Sequence, residues 1–355
     1  MGCIHDLPPH VLELSEKYGY FGVDDGFVVE DAIFLQDKPH VNRIQTKKPL
    51  SPSTWKLLDR ELFSRRPDIW LRVYGHASDL QFLDYMENLE SFSVDTLYKP
   101  VESLQSISSL SRLRALSFHA DDICNFDFLD GLGNRLTSLS IGKTKSKKPK
   151  LDFLSGFIRL EDLNIHGHSN GIEVISNLKE LKHLSLSGMS INDFDFLSPF
   201  DALHSLSIDL IKCPDYSALR NISIKHLSIA EIRNLQDLGF ISGIKGIQNL
   251  SLSYLNKVTA LPPLESHATI RRVGISDMRK LSDISSLFEC ERLTDFYFTN
   301  DNTPLEPEDF KPLLSMKNLK YVRVGTGRTG KNKKIDEILL PSEFMPYEYY
   351  EFEYH

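Results

Sequence analysis

Few residues of this 355-residue chain carry types that do chemistry, and they lie far apart. Asp162, His183 and Ser205 follow one another at steps of 21 and 22 residues, in the order acid, base, nucleophile of a hydrolase. His166 and His168, with His183, offer imidazoles of the kind that ligate zinc or copper, but no carboxylate or Cys spacing completes a set. Gly325-Thr326-Gly327-Arg328-Thr329-Gly330-Lys331-Asn332 fits GxxxxGK, the loop whose amides cradle phosphate. Asn332 stands where Ser or Thr would hold magnesium, and Lys333 and Lys334 follow, so a solvated basic loop is expected there. Lys143, Lys145, Lys147, Lys148 and Lys150 form a basic cluster without interleaved aromatics, which reads as a loop between elements and not as a nucleic-acid site. Cys3, Cys124, Cys213 and Cys290 are widely spaced with no CxxC, which argues against a zinc site or a disulfide framework and for a reducing cytosol.

What brings distant residues together is a repeat. The pattern apolar-x-x-apolar-x-apolar runs from Leu89-Phe92-Val94 through Leu160-Leu163-Ile165, Leu181-Leu184-Leu186 and Leu250-Leu252 to Leu319-Val322-Val324, ten steps over 230 residues and a mean period of 23. A degenerate first member, Leu71-x-Val73, precedes it. A second signal keeps step: Leu83, Ile107, Leu154, Ile175, Leu197, Ile241, Leu264, Leu287 and Leu313 each precede the next apolar triplet by six residues. The first motif alternates with period two, so it is a strand with one face inward. The second is too short, and too often interrupted by Pro or Gly, for a regular helix, so it is a 3₁₀ or short helical turn on the opposite side. One such unit cannot bury its apolar face alone, whereas stacked units share a continuous core. Of the 51 leucines, 41 fall within residues 69–324, mostly at these positions.

The repeat resembles the leucine-rich repeat family over about residues 69–324, in the short internalin-like class of bacterial proteins that a phosphatase regulatory subunit also uses. The resemblance implies an α/β solenoid, a horseshoe of about 11–12 repeats with a parallel concave sheet and slender convex turns. The Asn that the family places three residues after the third apolar position is missing here. Leu97, Asp121, Thr144, His168, Met189, Ile211, Ile232, Leu255, Met278, Asp301 and Gly327 stand instead, so packing must hold the turns.

The ends are expected to be caps: residues 1–68 as a helix near Val11–Tyr18, a strand near Phe27–Phe34 and a helix from Ser53 or Thr54 to Ser64, and residues 325–355 as a C-terminal cap with an acidic-aromatic tail from Glu343 to Tyr354. Leu7-Pro8-Pro9-His10-Val11-Leu12 faintly resembles the start of an F-box, the rest of which is missing. Gly2-Cys3 resembles an acylated N-terminus, but Asp6 replaces the favoured Ser or Thr.

Repeat registration sorts the outward strand residues into rows. The first row reads Ser91, Ala115, Ser138, Asp162, His183, Ser205, His226, Asn249, Arg272, Asp295, Tyr321. The middle row reads Ser93, Ser117, Ser140, Asn164, Ser185, Ser207, Ser228, Ser251, Gly274, Tyr297, Arg323. Side-by-side Asp162, His183 and Ser205 lack the oxyanion hole and water-excluding pocket that hydrolysis needs, so the row is read as a binding face and the chain as no enzyme. Asp162, Asn164, His166, His183, Ser185, Ser205, His226, Asn249, Arg272, Tyr297, Tyr321 and Arg323 are expected to dock a protein partner, since Tyr and Arg dominate hot spots. Histidines on that face, His119 and His166 among them, are expected to charge below about pH 6.5. The net charge of −8 gives no reason to expect nucleic acid or anionic membrane, no stretch of 18 apolar residues spans a bilayer, and the start lacks a secretory pattern. The expectation is a cytoplasmic recognition protein, a monomer in isolation without a cofactor, that scaffolds or neutralises its partner. The alternative is the targeting subunit of a ligase or phosphatase, docking its enzyme through residues 1–68.

Overall fold

The computed structural model describes residues 7–46, 48–76, 78–146, 149–201, 203–342 and 344–346. The chain divides after Glu180 into two compact units. The first carries β1 (Val11–Ser15), β2 (Tyr20–Val23), β3 (Arg43–Thr46), β4 (Trp70–Tyr74), β5 (Ser91–Asp95), β6 (Ala115–His119), β7 (Ser138–Ile141) and β8 (Asp162–His166). β1 and β2 pair antiparallel, and β2 to β8 pair parallel in chain order. The second unit carries β9 (His183–Ser187), β10 (Ser205–Asp209), β11 (His226–Ala230), β12 (Asn249–Ser253), β13 (Arg272–Ser276), β14 (Asp295–Thr299), β15 (Tyr321–Gly325) and β16 (Met345–Pro346). All eight are parallel, each paired with the next in register.

In each unit the core lies between the sheet and a stack of 3₁₀ turns, such as Asp152–Gly156 and Gly239–Gly243. The repeat's apolar positions are sealed: Leu160, Ile165, Leu181, Leu186, Leu227 and Leu250 are fully buried, as are Leu154, Leu197 and Ile241 on the turn side. Each such side chain stabilises its unit by roughly 1.5–3 kcal/mol. Where the asparagine ladder would run, Met189, Ile211, Ile232, Leu255 and Met278 are buried instead, and His168 Nε2 donates to the Gly142 carbonyl at 3.2 Å. Aromatic stacks reinforce the turns, Phe126 on Phe153 at 5.2 Å in the first unit and Phe194, Tyr216 and Phe240 at 5.6 and 5.4 Å in the second. The expected packing of the turns is therefore present.

One backbone feature recurs after the strands. Gly188, Leu210, Glu231, Tyr254 and Asp277 each follow β9 to β13 with φ between 50° and 64°. The amide of each donates to the last carbonyl of the next strand, at 2.8 to 3.2 Å. This left-handed residue turns the chain out of the sheet, and only at Gly188 is it free of steric cost.

The N-terminal expectations are partly reversed. Val11–Ser15 is a strand, not a helix, because Gly19 at φ 63° folds the chain back to form a hairpin; a Cβ there would collide with the His40 carbonyl oxygen. The segment expected as a strand is helix α1 (Val29–Gln36), where the Asp31 carboxylate accepts the Val28 amide at 2.8 Å and caps the first turn against its β-branched composition. The third element stands as expected: α2 (Pro52–Leu57) starts at Ser51, continues as a π-helical stretch Leu58–Phe63, and buries Trp55, Leu58 and Leu62. The basic loop expected at 325–332 is also different, because helix α3 (Thr329–Leu339) begins inside it. Of the acidic-aromatic tail, β16 adds an edge strand beside β15, and Glu343 and residues 347–355 lie outside the described residues.

Candidate functional site

The strand registers reproduce the rows read from the sequence. In the second unit His183, Ser205, His226, Asn249, Arg272, Asp295 and Tyr321 stand opposite one another in turn, and Ser185, Ser207, Ser228, Ser251, Gly274, Tyr297 and Arg323 form the row beside them. In the first unit Asp162 faces Ser138 and Asn164 faces Ser140, with His166 at the end of β8.

Along the second unit the face changes character. His183 is exposed, Ser185 and Ser205 are half-buried, and the serines keep the relief low. Asn249 and Arg272 sink below the surface, and the Arg272 guanidinium pairs with Asp295 at 3.5 Å, the two side chains being 8% and 1% exposed. Arg272 is thus engaged inside the sheet and does not stand out as an anchor. Beyond it the relief rises: Tyr297 is half-buried, its hydroxyl accepting from Thr299 at 3.0 Å, and the exposed Arg323 guanidinium lies 5.8 Å from its ring. Tyr321 sits next to Arg323 on β15.

The histidines do not act as one pH-sensitive set. Burial pushes His226 down to about 4 from 6.5, with His183 and Arg272 adding to the shift, so it stays neutral where a surface histidine charges. Burial lowers His119 as well. The expectation that this face charges as a group below pH 6.5 fails for His226. His168 is buried at a turn with its ring against Phe126, away from the outward rows. No group of three or more His, Cys, Asp or Glu among the described residues has the arrangement of a metal site.

The other motifs resolve into structure. In the GxxxxGK segment, Asn332 Oδ1 accepts both the amide and the hydroxyl of buried Thr326, at 2.9 and 2.6 Å, while Lys331 reaches the Thr303 carbonyl and Glu306. The Thr326 amide and the lysine are thus already engaged within the chain. Of the lysine cluster, Lys145 pairs with Asp122 at 2.6 Å on the exposed rim, and Lys147 and Lys148 lie outside the described residues. A polar cavity of about 330 Å³ lies among the turns of the first unit, lined by Gln81, Asp84, Ser103, Gln105, Ser106 and Ser109, where the Ser109 hydroxyl donates to the Asp84 carboxylate at 3.3 Å.

Sequence reasoning missed one group of outward residues. Because β2 to β4 continue the parallel pairing of the first unit, Tyr20, Arg43 and Trp70 fall in one row, and Gln45 and Arg72 in the next. The alternation in Trp70-Leu71-Arg72-Val73-Tyr74 signalled this, but Arg43-Ile44-Gln45-Thr46 is too short to stand out without its partners.

No family profile matches the sequence, and no curated protein matches it significantly. Among solved structures, an internalin from Listeria monocytogenes is similar over 91% of this chain and 95% of its own, at 16% identity and a TM-score of 0.51. The mouse RP105/MD-1 complex is similar at 16% identity and a TM-score of 0.55, over 82% of this chain and 53% of the matched chain, so this chain spans about half of that one. At such identities the likeness is one of fold.

Proposed function

We propose that this chain, which has the leucine-rich repeat fold, is a recognition module that binds a protein partner through the sheet face of its second unit and has no catalytic role. The observation that carries the reading is the graded face itself. A low serine-lined stretch around His183, Ser185 and Ser205 lets a partner approach the sheet, and Tyr297, Tyr321 and Arg323 then rise as the side-chain types that anchor interfaces. Asp162, Asn164 and His166 belong to the corresponding rows of the first unit. The mouse relative is itself seen in a complex, which favours the same use of the fold here. Unpaired Cys124, Cys213 and Cys290 fit a reducing compartment, and no described helix is long and apolar enough to cross a membrane. Residues before Ile69 supply strands to the first unit's sheet, which favours a capping role over that of an enzyme-docking domain.

The test is affinity purification with cross-linking from the native source, repeated with His183→Ala/Tyr297→Ala. The double variant should retain its circular dichroism and lose the partner by tenfold or more. Equal capture by both proteins would overturn the proposal. Arg272 is unsuitable for this purpose, because its loss leaves Asp295 buried without its cation and destabilises the unit by roughly 3–5 kcal/mol.

A further inference from the structure

The outward row at the start of the first unit holds a charge that no described carboxylate neutralises. The Arg43 guanidinium lies 4.6 Å from the Tyr20 ring and 5.8 Å from that of Trp70, one strand to either side. Among the described residues no carboxylate pairs with it, and its Nε is buried without a hydrogen-bond partner. The neighbouring cation is provided for: Arg72 lies 4.1 Å from the Tyr74 ring, bonds Asp95 at 2.6 Å and donates to Gln45 at 3.2 Å. Tyr18 extends the aromatic run 5.8 Å beyond Tyr20 and carries Lys17 at 5.1 Å from its ring.

A half-buried guanidinium gains from stacking but still wants an acceptor for its remaining N–H groups, which a carboxylate fills with parallel charge-assisted bonds. Two flanking rings fix the plane of the fork before the acceptor arrives, so little freedom is lost on binding. Asp95 is committed to Arg72, and among the described residues no other carboxylate pairs with Arg43, so the proposed acceptor comes from outside.

We propose that Tyr20, Arg43 and Trp70 form a second docking surface, on the first unit, that takes the carboxylate side chain of an acidic segment of a protein partner, with Lys17 favouring a further acidic residue beside it. This surface is separate from the second-unit face, and its test uses none of the residues that test the proposed function, so either can fail alone.

The chain contains two tryptophans, and Trp55 is buried on Phe82 at 4.1 Å, so Trp55→Phe leaves Trp70 as the reporter. Titration of that full-length variant with hexaglutamate at low salt should shift Trp70 emission saturably, hexaglutamine should not, and adding Arg43→Gln should weaken the hexaglutamate response at least tenfold. Arg43→Lys, which keeps the charge and loses the planar fork, should weaken it at least threefold and decides the matter if Arg43→Gln does not fold. No shift with hexaglutamate, an equal response to hexaglutamine, or undiminished binding by the Arg43 variants would overturn the proposal. So would a DNA duplex binding as tightly as hexaglutamate, since that would make the surface a general polyanion site.

Discussion

His226 shows how a residue's place in a row governs its chemistry. Its folded-state pKa, pushed to about 4 by burial beside His183 and Arg272, lies below the 6.5 of the unfolded chain. As pH falls, the unfolded chain takes up the proton first, so the stability held by the neutral form is complete above pH 6.5 and is lost on descending to about pH 4. Burial lowers His119, His168 and His267 in the same direction. His226→Gln should remove roughly 1–3 kcal/mol of that acid-dependent loss, read as a flatter melting temperature between pH 6.5 and 4. The left-handed residues give a second prediction. Glu231 and Tyr254 hold φ of 52° and 54°, a conformation that costs a side-chain-bearing residue about 1–2 kcal/mol and glycine almost nothing. After the extra freedom glycine gives the unfolded chain, Glu231→Gly and Tyr254→Gly should each stabilise by about 0.5–1 kcal/mol in urea titrations, and destabilisation would refute this account of the turns. Which residues face inward was legible in the period-two pattern. The depth of Arg272 and His226 was not, because burial depends on side chains from three strands at once.

At the scale of elements, the turns are fixed by a device that the leucine pattern hides. Asp79, Asp193, Asp215, Asp237 and Asp283 each accept the backbone amide two residues on, at 2.7 to 3.0 Å, and so start a 3₁₀ turn. The Asp79 and Asp283 carboxyls are held below the usual carboxylate range first by the Ser103 and Ser285 hydroxyls and then by these amides, and Asp215 first by the Ser217 amide and then by its hydroxyl. At the C-terminal end Asn332 plays a comparable part across an element boundary, tying α3 to buried Thr326. Asn332→Ala should leave Thr326 unsatisfied and cost about 1–3 kcal/mol, with faster amide exchange over residues 326–339 than in β12 or β13. Uniform protection in the variant would refute that coupling. The exchange of helix and strand in the N-terminal segment has a similar cause. Val28 and Val29 favour a strand by propensity, and a single capping carboxylate at Asp31 reverses the outcome.

At the scale of the whole chain, the N-terminal segment is continuous with the first unit. Residues before Ile69 contribute β2 and β3 to its sheet and fully buried Leu35, Ile44, Leu58 and Leu62 to its core. Deleting residues 1–68 should uncover the edge of β4 and the apolar faces that these side chains cover, giving aggregated protein on size exclusion and no cooperative melt. A monodisperse, cooperatively folding remainder would show that the segment is dispensable. The sequence by itself determined the repeat, the strand positions, the inward set and the order of residues along each outward row, because a period kept over so many units can be satisfied by one stacking alone. Tertiary structure decided the rest: that the parallel pairing begins at Tyr20, that Arg43 stands between two rings with no acceptor among the described residues, and that Arg272 is turned inward onto Asp295. Those outcomes depend on pairings between segments too short or too irregular to carry a period, so their neighbours are set when strands meet and not by spacing along the chain.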